Sequence, residues 1–315
     1  MPTTVYFATN RVVTGDGTAV TDYTDNMIAA NDTADMTYGV AFLTDAIPSA
    51  DSVGAITNIN SITQGQFAAA VTDDLSHPAR DLLVFIHGFD NDFENAITRA
   101  AYNQQWLAAS GKDFTMIAFS WPSLGKLIDS VVLTEAYFQD QTAAGNSAHH
   151  LKAFLQTLAP ILQITHEQGF KVNLLSHSMG NYALGGAVEA WFTAGGPGGV
   201  IFDQVMLAAA DENFGTFGLP QPARLSRLAQ MTSKITIYNS ARDQVLELSA
   251  SDIVNGVQRL GQTGPAGNPA VPAPTAAITT RVDCTGFNDY AYGFASSHQY
   301  YRLSPAVRAD IVTRL

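Results

Sequence analysis

Apolar positions along this chain come in two rhythms. Leu82-Leu83-Val84-Phe85-Ile86 is a short uninterrupted run that reads as a strand covered on both faces, and Phe114 to Phe119, Val172 to Leu175, Val205 to Ala209 and Ile235 to Tyr238 read as further strands. Between them, apolar residues recur at helical spacing. Phe93, Ile97, Ala100 and Ala101 follow a capping Asp92 and precede Gly111. Leu151, Phe154, Leu155 and Leu158 lie in a stretch that starts at Ser147. Pro160 should kink or end that second helix, because it removes a donor and clashes with the preceding turn. Further helices are predicted from Met179 to Phe192 and from Pro222 to Met231. In a last one Ser304 caps, Pro305 opens, and Val307, Ile311 and Leu315 face inward. Thr4 to Ala8 and Tyr38 to Leu43 read as sheet-edge strands without chemistry, separated by an Asn/Asp/Thr-rich loop from Thr21 to Asp35. Ile278 to Val282 is the last strand, after a Pro/Ala-rich connector from Gly264 to Ala277. Strands alternating with helices predict an α/β class protein with a doubly wound, mostly parallel sheet flanked by helices. Neither an internal repeat nor a linker divides it, so residues 1–315 are expected to form a single domain.

Composition narrows the partners. Hydrophobic residues make up 46% and charged ones 14% of 315 residues, enough for a large core. Sixteen basic against 28 acidic residues give a net charge of −12, which disfavours nucleic acid and anionic membrane as partners. Cys284 is the single cysteine, so no internal disulfide can form. The N-terminal residues carry neither a basic nor an apolar targeting pattern and no apolar run reaches spanning length, so no membrane insertion and a cytoplasmic location are expected. A homo-oligomer is compatible with all of this.

The chemistry centres on Leu175-Ser176-His177-Ser178-Met179-Gly180. A buried strand, an abrupt turn with small residues at Ser176 and Gly180, and an apolar helix are the context of a nucleophile elbow, which pushes Ser178 Oγ clear of the sheet. Here the motif is S-x-S-x-G, with serine where glycine is usual. A serine hydroxyl needs a base within about 3 Å, itself oriented by an acid. In sheets built around such an elbow, acid and base follow the nucleophile in the chain. Six of the seven histidines precede Ser178, and His298 alone follows it. The acid is Asp243, just past a strand end, with Asp211 and Glu212 as open alternatives. Oxyanion donors are expected from the Met179 N–H and from the Phe89 N–H in the turn after His87-Gly88. His87 and His177 are assigned packing roles around the site. His149-His150 and His166 lack the spacing of a zinc helix, so no metal and no cofactor are expected.

With these pieces the sequence resembles the bacterial α/β-hydrolases grouped as domain of unknown function 900. The matching pieces are Phe7-Ala8-Thr9-Asn10-Arg11, Val84 to Asn91, Phe119-Ser120-Trp121-Pro122-Ser123, Leu175 to Asn181, and the surroundings of Asp243 and His298. The resemblance implies an α/β-hydrolase fold and a Ser178–Asp243–His298 set, and little about the substrate.

The expected activity is that of a serine esterase acting on a small, fairly apolar carboxylic ester. Amide cleavage, lactone opening or acyl transfer by the same groups, and a non-catalytic binding role, are the alternatives. A charged histidine cannot act as base, so activity should rise with pH through about 6 to 7. Leu124, Leu127, Ile128 and Val131, followed by Tyr137 and Phe138, suggest either a small cap inserted around 123–147 or a surface helix packed on the core. Among Phe287, Tyr290, Tyr292, Phe294, Tyr300 and Tyr301, some are candidates for lining an acyl pocket and the rest for core packing.

Overall fold

The apolar runs become the middle of one sheet. The structure, a computed structural model, describes residues 3–30, 32–44, 54–76, 80–124, 130–218, 223–267 and 271–315, without the side chains of 130–133. The strands in chain order are β1 (Thr3–Thr9), β2 (Arg11–Val13), β3 (Tyr23–Met27), β4 (Thr37–Leu43), β5 (Ile56–Ile62) and β6 (Asp81–Ile86). They continue with β7 (Phe114–Ser120), β8 (Val172–His177), β9 (Gln204–Ala208), β10 (Ile235–Asn239) and β11 (Thr279–Asp283). The long helices are α1 (Gln64–Ser76), α2 (Phe93–Ala109), α3 (Ser130–Asn146), α4 (Ala148–Glu167) and α5 (Gly180–Thr193). After them come α6 (Gln244–Ala250), α7 (Leu260–Thr263), α8 (Ala273–Ile278), α9 (Phe294–Ser297), α10 (Tyr300–Leu303) and α11 (Pro305–Arg314).

Nine strands pair in the order β11-β10-β9-β8-β6-β7-β1-β4-β5. All neighbours from β11 to β1 run parallel, and β4 and β5 add antiparallel pairings at one side. Side chains alternate across the sheet. Leu82, Val84 and Ile86 of β6 join Leu174 of β8 and the inner faces of α1, α4 and α5 in one core. Leu83 and Phe85 face the opposite way, onto Ile97 and Trp106 of α2 and Val307 and Ile311 of α11. Because both faces are covered, the central strands are mostly apolar, without the in-out alternation of a half-exposed strand. This is the α/β-hydrolase architecture, a large mostly parallel sheet between helices. No described helix is long and apolar enough to cross a membrane.

Five expectations need correction. The β1 and β4 strands are not the sheet edge: β5 lies outside them, with only Ile59 buried on it, so its polar composition hid it. The stretch from Thr21 to Asp35 is not all loop, since β3 forms a two-stranded ribbon with β2 there. Pro160 does not end its helix, which runs on to Glu167. The helix expected from Pro222 to Met231 is absent over its described part, where the chain makes turns and one 3-10 turn, Leu228–Gln230. There Thr216 takes the Leu225 N–H through both its hydroxyl and its carbonyl, drawing that backbone out of a helical ladder; Pro222 itself lies outside the described residues. The Gly264 to Ala277 connector runs into the short helix α8. Asp92, Gly111 and Ser304 punctuate helices as expected, Asp92 accepting from Asn95 N and Ser304 from Val307 N.

Candidate active site

Open parallel sheets build sites at the carboxyl ends of their strands. Ser178 follows β8 directly and holds φ 54°, a left-handed conformation that a serine adopts only at a cost of about 1–3 kcal/mol. Four hydrogen bonds sustain it. Ser178 N donates to Ala208 O at 3.0 Å, while Ser178 O accepts from Asn181 N, Asn181 Nδ2 and Asp211 N at 3.0 to 3.1 Å. Asn181 Nδ2 also reaches Ser176 O, stitching the strand end to the helix that follows. The small residues are required by contact. A Cβ on Gly180 would lie 2.4 Å from His87 O, and one on Gly88 would lie 2.5 Å from Ser178 Cβ. Ser176 fills the position usual for glycine and is fully buried.

Asp243 and His298 meet at this rim. Asp243 caps α6 through Oδ1, which accepts from Leu246 N at 3.0 Å. Its Oδ2 lies 2.7 Å from His298 Nδ1. A carboxylate only accepts, so Nδ1 carries a proton, and in the neutral ring Nε2 keeps the lone pair. That Nε2 is buried and has no hydrogen-bond partner among the described residues, Ser178 Oγ included. Ser297 Oγ accepts from Gln244 N at 3.1 Å, tying α9 to α6 and fixing the distance between acid and base. Burial pushes the Asp243 carboxyl up from its ordinary value, against the pull of the His298 ring.

His87 and His177, also at the rim, are neutral. His87 Nε2 accepts from Trp121 N at 3.0 Å, so its proton sits on Nδ1 and goes to Gly88 O at 2.9 Å. The ring stacks on Trp121 at 5.0 Å, and burial with the nearby Arg11 charge drives its pKa down to about 3. His177 donates from Nε2 to His298 O at 3.1 Å and lies between the rings of His298 and Tyr301. Its pKa is well below the ordinary imidazole value, first through burial and then through His298.

Asp211 and Glu212, the alternative acids, are committed elsewhere. Asp211 pairs with Arg259 Nε at 2.7 Å and accepts from Tyr137 OH at 2.8 Å and Ser249 Oγ at 2.6 Å. Glu212 faces Arg224 at 3.3 Å, and burial raises its pKa.

A cavity of about 300 Å³ opens beside His298. Phe89, Val245, Leu248, Phe294 and Leu303 give it apolar walls, and Tyr137 of α3 contributes from the 123–147 segment. Asp90, Arg99 and Arg302 share the lining. Phe294 is therefore at the cavity, whereas Tyr300 is fully buried in the core with its hydroxyl on Tyr238 O. Leu127, Ile128 and Val131 lie outside the residues whose side chains are described. Met179 is buried at the N-terminal end of α5, and Phe89 follows the Gly88 turn that touches Ser178. Among the described residues no group of three His, Cys, Asp or Glu side chains is arranged to hold a metal ion.

Sequence reasoning missed a polar cluster behind the Gly88 turn. Arg11 is wholly buried and donates to the carbonyls of Asn91 and Trp121 at 2.8 and 2.7 Å, to Ser120 Oγ, and to Asp25 at 3.1 Å. Asp140, also buried, accepts from Ser123 Oγ and from Leu124 N. The only local signal is the occurrence of Arg11, Asn91 and Ser123 inside three of the stretches that carry the family resemblance.

The model of a family described as alpha/beta hydrolase of unknown function (DUF900) matches residues 63–314. No curated protein matches the chain. Among solved structures, phospholipase PlaB from Legionella pneumophila in complex with thio-NAD aligns at 15% identity and a TM-score of 0.31, over 58% of this chain and 44% of that one. A candidate hydrolase from Legionella pneumophila subsp. pneumophila aligns at 14% identity and a TM-score of 0.25, over 89% of this chain and 61% of that one. The chain thus spans less than two thirds of either.

Proposed function

The chain belongs to the alpha/beta hydrolase family of unknown function DUF900, and from that premise we propose that it is a serine hydrolase that cleaves a small, fairly apolar carboxylic ester through an acyl-enzyme. The observation that carries the reading is the His298 ring: Nδ1–H is fixed on Asp243 at 2.7 Å, and the buried Nε2 has no hydrogen-bond partner among the described residues, beside the turn in which Ser178 holds φ 54°. A base oriented in this way is what a serine nucleophile needs.

Ser178 Oγ attacks the ester carbonyl while His298 Nε2 takes its proton. The new C–O bond forms as the carbonyl π pair moves onto oxygen, where the Phe89 and Met179 N–H groups receive it. When that pair returns, the bond to the leaving alkoxide breaks and His298 hands the proton to it. Water then repeats the sequence on the acyl-enzyme, giving the carboxylic acid and free Ser178. Asp243 stabilises the imidazolium formed in each half. The apolar walls and the modest volume of the cavity support a small apolar substrate over a large polar one. Hydrolysis of a panel of p-nitrophenyl esters by wild type and Ser178→Ala tests the reading. A loss of about 10⁴-fold or more in kcat is expected; a variant that keeps most of its activity overturns it.

A further inference from the structure

The turn that carries the Phe89 N–H is held by its own carbonyls. In a trans peptide the C=O and N–H of one plane point in opposite directions, so whatever grips the carbonyl aims the amide. Gly88 O, in the plane of the Phe89 N–H, accepts from Asn91 Nδ2 at 3.0 Å and from His87 Nδ1 at 2.9 Å. The next plane is gripped at both ends: Phe89 O accepts from Asn91 Nδ2 at 2.7 Å, and Asp90 N reaches Asp140 Oδ2 at 3.4 Å. Asp90 itself holds φ 61°, so the turn does not adopt this path without restraint.

Asn91 is in turn clamped. Its N–H goes to Ser123 Oγ at 3.0 Å, and that hydroxyl donates to Asp140. Its carbonyl takes Arg11 Nη2 at 2.8 Å. Both neighbours of its side-chain amide are acceptors, so the orientation of that amide is settled by chemistry. Arg11 comes from the start of the chain and Asp140 from α3, so three segments far apart in sequence converge on one peptide.

We propose that Asn91 is the positioning residue of the oxyanion site, aiming the Phe89 N–H by holding the Gly88 and Phe89 carbonyls, with Arg11 and Asp140 fixing Asn91. The inference rests on the serine-hydrolase reading above. It gives the 123–147 segment a part in the chemistry through Asp140, beyond any role as a cover.

The test compares wild type, Asn91→Ala and Asp140→Asn on one p-nitrophenyl ester and on a trifluoromethyl ketone. The ketone's adduct with serine needs the oxyanion donors; the matching unfluorinated ketone reports ground-state binding. Removing an oxyanion donor outright costs about 10²–10³-fold in kcat, so a misaimed one should cost about 10- to 100-fold. Asn91→Ala should lower kcat and trifluoromethyl-ketone affinity by the same factor, with KM and unfluorinated-ketone affinity within about twofold. Asp140→Asn keeps an acceptor for the Asp90 N–H but loses its charge, so the same parallel loss should be smaller. It carries the test if Asn91→Ala does not fold. A loss confined to KM, or an unchanged trifluoromethyl-ketone affinity, overturns the proposal. A wild type without Ser178-dependent turnover overturns the serine-hydrolase reading and this inference with it, whereas full wild-type turnover with unaffected variants overturns this inference alone.

Discussion

Asp243→Asn separates a catalytic acid from a structural one. In the native site Oδ1 caps α6 by accepting from Leu246 N at 3.0 Å, and Oδ2 receives the His298 Nδ1 proton at 2.7 Å. An asparagine can satisfy only one of these acceptor roles. If its oxygen keeps the cap, worth about 1 kcal/mol, its NH₂ faces His298 Nδ1 and forces the ring proton onto Nε2. The base then has no lone pair for Ser178, and the imidazolium of the transition state loses its counter-charge. The combined loss should be about 10³- to 10⁴-fold in kcat, or about 4–5 kcal/mol of transition-state stabilisation. The assay is steady-state hydrolysis of p-nitrophenyl acetate near pH 7, with thermal melting as the control for folding. Because the cap survives, Tm should change little. Asp211→Asn provides the contrast: it leaves Arg259 buried without its carboxylate and should cost about 3–5 kcal/mol of stability instead. A folded Asp243→Asn variant within tenfold of wild type, or an Asp211→Asn variant with native stability and no activity, would refute the assignment.

Stability should fall on mild acidification because His87 stays neutral in the folded protein, its pKa held down to about 3 by burial. Between that value and about 6.5 the unfolded chain binds a proton that the folded one refuses, so unfolding free energy rises with pH across this window. From pH 7 to pH 5 the loss from His87 is roughly 2 kcal/mol. His177, depressed for the same reason, acts in the same direction, while the raised Asp243 and Glu212 carboxyls oppose it from about pH 4 upward. Denaturant melts of wild type and His87→Gln at pH 7 and 5 should show a shallower pH dependence in the variant, and equal slopes would count against a neutral His87. Gly88→Ala should lower kcat by about 10²-fold or more and stability by about 1–3 kcal/mol, because the new Cβ would sit 2.5 Å from Ser178 Cβ. Gly145→Ala in α3 meets nothing nearer than Tyr182 Cε1 at 3.4 Å and should be tolerated; similar kinetics for the two variants would show that the close approach at Gly88 is unimportant.

What could be read from the sequence follows from how local each signal is. The β6, β7 and β8 strands announce themselves because both faces are covered and apolar residues dominate them, with Thr115 and Asn173 among the buried polar exceptions. The Ser178 turn is legible because it packs tightly against neighbouring backbone, and only small residues fit there. Asp243 is preferred in the sequence for its place after β10, with Asp211 after β9 serving almost as well; in the structure Asp243 lies against His298, while Asp211 pairs with Arg259. The β5 strand was hidden because ITNINSI buries little but Ile59 at the edge. Asp140 carries no local signal at all. It is one carboxylate on a helix, and its partners at Asp90 and Ser123 are 50 and 17 residues away along the chain. Arg11 stands in the sequence only as part of the family-matching stretch Phe7 to Arg11, because a buried arginine is recognisable only once the carbonyls of Asn91 and Trp121 are seen around it.

The most direct measurement is covalent capture. Incubation with a fluorophosphonate, followed by proteolysis and mass spectrometry, reads which hydroxyl has been made nucleophilic. One adduct on the peptide containing Ser178, formed rapidly by wild type, slowly by Asp243→Asn and not at all by Ser178→Ala, is the expected result. An unmodified Ser178 in folded wild-type protein, or a stoichiometric adduct on another residue, would contradict it.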